Sequence, residues 1–164
     1  MTIFIKNKYT LQIDEFKFRC CIGKKGSTKH KKEGDKKTPI GTFEIENIYF
    51  RKDRKIKPLT LLKCIEIKKN MGWCNDIYFP KKYNKLIKIE KKIKHEKLKR
   101  KDSKYDFLIP IKYNFKKPIA GLGSCIFIHL TKDFKPTAGC IALKEKDFLI
   151  MLKLIKKKTK IKIY

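Results

Sequence analysis

The apolar residues of this chain come in short alternating runs separated by polar or glycine-bearing breaks, and that spacing constrains its fold more than any other feature. TIFIK, TLQI and FKFRCCI open the chain; TFEIENIYF, LLKCIEI, FLIPIKYN and SCIFIHL follow, and TKIKIY closes it. A period of two marks a strand with one face turned to a core. Between the third and fourth runs, GKKGSTKHKKEGDKKTPIG holds four glycines, a proline and many charges, and reads as a long exposed loop. Loops of that length inside a compact domain are usually functional or disordered. EKDFLIMLKLIKKK (145–158) places apolar residues at 148, 149, 152 and 155 on one helical face, and its lysine-rich end suits the helix C-terminal dipole. KLIKIEKKIKHEKLKRK (85–101) fits two structures. Leu86, Ile89, Ile93 and Leu98 suit a basic amphipathic helix that would touch a membrane or nucleic acid, whereas KLIKIE alternates like a strand. Nothing repeats and no linker stands out, so the expectation is one mainly β domain, residues 1–164, with a helix near the C-terminus.

A hydrophobic fraction of 41% over 164 residues is enough to bury a core. The formal charge of +28, from 44 Lys+Arg against 16 Asp+Glu, favours anionic partners such as nucleic acid, an acidic membrane face or an anionic wall polymer. Nearly all of that charge is lysine; the arginines are Arg19, Arg51, Arg54 and Arg100. Phosphate readers tend to use the bidentate arginine fork, so the lysines read first as a solubilising surface. No apolar run approaches the length of a membrane-spanning helix, and MTIFIKNKYT is too short and too interrupted by lysine to read as a signal peptide. Cys20, Cys21, Cys64, Cys74, Cys125 and Cys140 include no CxxC pair, and the histidines at 30, 95 and 129 are scattered. The even count invites a disulfide framework, but the chain is large and core-rich enough not to need one, and pairing of Cys20 with Cys21 or Cys64 with Cys74 stays open. The spacing does not suit a structural zinc, and no metal and no cofactor are expected.

One pair of residues carries chemistry. His129 ends the run CIFIHL, and Cys140 follows Gly139 in TAGCIAL. A neutral thiol attacks poorly; an adjacent imidazole can take its proton and later protonate a leaving amine. A glycine before the cysteine permits a sharp turn, and the backbone N–H groups of Gly139 and Cys140 could aim at an oxyanion. A strand-end histidine and an ordinary buried thiol would look the same from residue types alone.

TPIGTF (38–43), GSCIFIHL (123–130) and TAGCIAL (137–143), in that order, resemble the signature blocks of the L,D-transpeptidase catalytic domain, the YkuD-like family. KEGDKKTPIGTF (32–43), GWCND (72–76), KHEKLKRKDSKYD (94–106) and KYN (112–114) further resemble its compact single-domain bacterial branch. The resemblance implies a β-sandwich-like catalytic fold, with Cys140 as nucleophile and His129 as general acid/base. A backbone carbonyl just after the histidine, here that of Leu130, would orient the imidazole. It implies peptidoglycan stem peptides as substrates: release of D-Ala from a tetrapeptide and cross-linking of its third residue to a neighbouring stem, or carboxypeptidase action with water as acceptor. β-Lactams of the penem type would be inhibitors, and the periplasm or cell envelope the compartment.

The motif departs from the commoner one in two places. Thr137 and Ala138 precede Gly139, and Ala142 stands where an arginine two residues past the cysteine would be. A cation to hold a substrate carboxylate must then come from elsewhere, with His95, Arg100 or a lysine as candidates and His95 preferred. Thr137, Ala138, Tyr113, Asn114, His95 and Trp73 are the expected substrate-binding residues. Thr38, Pro39 and Gly41 read as a structural turn. Ser124, five residues from His129, would face away from it if both lay in one strand. A basic nucleic-acid-binding domain is the alternative of another class, but no RNP, helix-turn-helix or zinc signature supports it, and no specific nucleic acid is expected. A wall-binding module with a spent site is a third reading. A monomer, with an anionic envelope surface as a further partner, is expected.

Overall fold

The alternating runs become strands. A computed structural model describes residues 1–164. Its elements are β1 (Thr2–Asn7), β2 (Thr10–Ile13), β3 (Phe16–Cys21), β4 (Ser27–Thr28), β5 (Thr38–Pro39), β6 (Gly41–Glu44), β7 (Ile48–Phe50), β8 (Cys64–Glu66), β9 (Met71–Cys74), β10 (Leu86–Lys88), β11 (His95–Lys97), β12 (Phe107–Pro110), β13 (Phe127–Leu130), β14 (Ile141–Leu143), α1 (Glu145–Leu154) and β15 (Lys160–Ile163). Ten strands form one large curled sheet in the order β6-β15-β1-β2-β3-β14-β13-β12-β7-β8. In the β1–β2–β3 meander, Ile3 faces Ile13 and Ile5 faces Leu11, which puts four fully buried aliphatics on one face. Phe148, Met151, Leu152 and Ile155 pack into the same core, and Phe107 stacks on Phe148 at 6.1 Å. The protein is mainly β with one C-terminal helix, and no helix is long and apolar enough to cross a membrane.

The central strands β13 and β14 run parallel, with Ile128 opposite Ile141 and Leu130 opposite Leu143. Those four side chains point into the main core. By the period of two, Phe127, His129, Cys140 and Ala142 point to the opposite face. That face carries a second, smaller apolar cluster containing Phe127, Cys140, Trp73, Leu98, Tyr105 and Leu108. The small sheet β10-β9-β11 supplies Trp73 to it. β13 is therefore buried on both faces.

Two expectations about helices change. Residues 85–101 hold β10 and β11 on either side of β9, with Leu86 opposite Trp73 and His95 opposite Cys74. Leu86 is exposed while Ile93 and Leu98 are buried, so the apolar positions do not share a helical face, and the amphipathic-helix reading fails. α1 also stops at Leu154, short of the lysine run to 158. The Lys156 N–H donates to Thr159 Oγ1 at 2.8 Å, closing a turn that delivers the chain to β15.

Candidate active site

The turn before β14 shapes the site. The Thr137 hydroxyl donates to Cys140 O (2.6 Å) and accepts from Gly139 N–H (3.1 Å). From the other side, the buried Thr38 hydroxyl donates to Gly139 O and accepts from Gly23 N–H, both at 2.9 Å. Thr38 thus clamps the loop 23–41 to the cysteine turn, a larger role than a local turn. Gly139 has φ 145°, and a Cβ there would stand 2.8 Å from Lys37 O. Backbone conformation and space both require glycine. Gly139→Ala is expected to cost about 1–3 kcal/mol of stability and to displace Cys140, read as a lower urea midpoint together with lost activity.

Cys140 and His129 line one cavity of about 300 Å³, together with Thr137, Ala138, Gly139 and Ala142. The Cys140 thiol donates to Cys125 O at 3.1 Å and accepts from Phe127 N–H at 3.4 Å. His129 Nδ1 lies 2.9 Å from Leu130 O. A carbonyl only accepts, so this contact puts the proton of the neutral ring on Nδ1 and leaves the lone pair on Nε2. Burial pushes the Cys140 thiol up to about 12, reinforced by the Glu96 carboxylate and opposed by the Phe127 N–H and Lys31. Burial likewise pulls His129 down to about 4, against the Leu130 carbonyl, with Lys104 and Arg100 pulling the same way. At neutral pH the resting site holds a neutral thiol beside a neutral imidazole. All six cysteines are free thiols.

Of the two expected oxyanion donors, Gly139 N–H is taken by Thr137, whereas Cys140 N–H meets no acceptor within the protein. The other expected substrate contacts separate into two groups. Thr137 and Ala138 line the cavity; His95, Trp73, Tyr113 and Asn114 do not. His95 Nδ1 is bound at 2.6 Å to Ile93 O, and its ring lies against Gly72. Trp73 is core: its Nε1–H donates to Asn84 Oδ1 at 2.9 Å and its ring meets Phe127 edge-on at 5.3 Å. The Tyr113 hydroxyl donates to Leu122 O, and Asn114, at φ 46°, braces Ile119 and Gly123. Both hold the loop leading to Ser124.

Ser124 corrects the alternation argument. β13 begins only at Phe127, and Cys125 has φ 55°, so alternation does not extend back to Ser124. Ser124 lines the cavity, and its hydroxyl donates to Glu33 at 2.7 Å. Glu33 also accepts from the Tyr83 hydroxyl. Glu33 and the buried Lys31 bring the loop that reads as exposed in the sequence into the lining of the cavity. Glu96, Arg100, Lys104 and Tyr105 also line the cavity, and the Tyr105 ring meets the His129 imidazole edge-on at 5.3 Å. Glu96 and Tyr105 escaped sequence reasoning because strand or helix patterning says nothing about which wall a distant turn supplies.

The model of the L,D-transpeptidase catalytic domain matches residues 2–163. No curated protein and no solved structure matched the chain. With the match running along nearly its whole length, from β1 through the Cys140 turn to β15, the chain belongs to the L,D-transpeptidase catalytic domain family, whose members act on peptidoglycan.

Proposed function

We propose that residues 1–164 act as one catalytic domain, a cysteine acyl-transferase that resolves peptidoglycan stem tetrapeptides through a thioester on Cys140. The observation that carries this reading is the placement of a buried thiol and an Nε2-basic imidazole in the lining of a single cavity. In the resting site no hydrogen bond joins the two; the thiol is held by Cys125 O. Attack therefore requires Sγ to leave that carbonyl as substrate enters, and its proton passes to His129 Nε2 as the S–C bond forms. The free Cys140 N–H is the donor best placed for the oxyanion. Collapse of the tetrahedral species breaks the amide, and the imidazolium protonates the departing amine of D-Ala. An acceptor amine from a neighbouring stem then attacks the thioester, gives its proton to His129, and Sγ leaves to recover that proton. Water in the acceptor's place gives the carboxypeptidase product. The cell envelope is the compartment such a substrate requires.

Purified protein and Cys140→Ala, each incubated with tetrapeptide-bearing muropeptides, test the reading by mass spectrometry. D-Ala release with a cross-linked dimer, absent from the variant, is the expected result; D-Ala release alone identifies the carboxypeptidase. A penem-class β-lactam is expected to leave a covalent adduct on Cys140. Neither product and no adduct would overturn the acyl-transfer reading.

A further inference from the structure

The cavity that holds Cys140 carries cations on its walls, and they are not equivalent. Lys31 is buried and spent: its ammonium donates to Asp35 at 2.7 Å and to Lys32 O at 2.8 Å. Lys135 is 84% exposed and paired with Asp133. Lys104 is exposed, and no carboxylate fixes it. Arg100 differs from all three. Asp102 fixes its plane, accepting from Nε at 3.0 Å and from Nη2 at 2.7 Å. The Tyr105 ring supports its face at 5.1 Å, and Tyr105 in turn packs against His129. Arg51 holds its backbone carbonyl at 2.6 Å.

Five N–H groups project from a guanidinium. Asp102 uses Nε–H and one on Nη2. Glu96 is a second ion-pair partner, 3.7 Å from Nη1 and beyond hydrogen-bond reach, so both N–H groups on Nη1 and the second on Nη2 carry no hydrogen bond within the protein. A planar cation one-third exposed, rigidly held, with unspent donors at the wall of a reaction cavity suits one ligand chemistry: a carboxylate.

We infer that Arg100 binds a carboxylate of the stem peptide and thereby sets which peptides reach Cys140. This rests on the acyl-transfer reading above. In a tetrapeptide whose third residue is a diamino diacid, two carboxylates near the scissile bond could dock there, that of the terminal D-Ala and that on the distal centre of the third residue; they share the chemistry and differ in position.

The test uses the full chain as wild type, Arg100→Gln and Arg100→Lys, with three muropeptides: the unmodified tetrapeptide, one with its terminal carboxylate amidated, and one with its diamino-acid carboxylate amidated. Release of the terminal residue gives kcat/KM for each. Wild type is expected to lose about 10- to 100-fold on one of the two amides, the worth of a charge-assisted pair. Arg100→Gln should lose the same factor on the unmodified peptide and nothing more on that amide, with Arg100→Lys between them. The amide affected identifies the carboxylate. A purely structural Arg100 would lower all three substrates equally in the variant, which overturns the inference, as does a wild type that treats all three alike. No release from any peptide by wild type would overturn the acyl-transfer reading and this inference with it.

Discussion

Cys140→Ala is expected to lower turnover of a tetrapeptide donor on the order of 10⁴-fold or more, because the covalent intermediate forms on its thiol. The folded state should tolerate the change. Cys140 is buried among Phe127, Trp73 and Tyr105, so the cost is that of a lost sulfur and its two weak hydrogen bonds. Activity and urea unfolding measured on the same sample separate the two effects. Cys125 also lines the cavity and is buried; burial raises its thiol well above the ordinary value, and it should not substitute as nucleophile. A variant that kept wild-type turnover would remove Cys140 from the reaction.

His129→Gln should cost about 10²- to 10⁴-fold, the range for removing a general acid/base. The wild-type pH profile then distinguishes a catalytic from a packing role. With His129 held down to about 4 by burial, the acid limb of kcat/KM is expected near that value rather than at 6.5, and alkylation of Cys140 by iodoacetamide should be slow at neutral pH. Stability reports the same group. The unfolded chain takes up the imidazole proton near 6.5 while the folded chain does not until about 4, so stability is lost as pH falls between those values and is unaffected by this group above them. The loss attributable to His129 is about 3 kcal/mol. It appears as a difference in the pH dependence of the urea midpoint between wild type and His129→Gln. Parallel curves would show that the imidazole is not held neutral by the fold.

Much of this arrangement can be read from residue order, and the exceptions have physical causes. TLQI, TIFIK and TKIKIY announce their strands because each buries one face only. SCIFIHL points to a strand but misleads about its start: the left-handed Cys125 resets which way Ser124 points, and no alternation count can anticipate that. Residues 85–101 defeat periodicity because two short strands separated by a turn place apolar residues at intervals that also fit a helix. His129 and Cys140 are legible through motif order. The parallel register that sets both on one face depends on the crossover between β13 and β14, which sequence spacing does not reveal. That His95 lies outside the cavity while Arg100 lines it is not visible in the sequence. β11 directs His95 against Gly72, while the turn after β11 carries Arg100 to the cavity wall.

The thioester itself is the most direct test of the account. Wild-type protein mixed with a tetrapeptide donor, without acceptor, quenched in acid within the first turnover and analysed by intact mass and peptide mapping, is predicted to carry the donor minus D-Ala on the peptide containing Cys140. Hydroxylamine should remove the adduct, and free D-Ala should appear in equal amount. D-Ala released with no adduct at Cys140, at a rate that Cys140→Ala shares, would contradict the account.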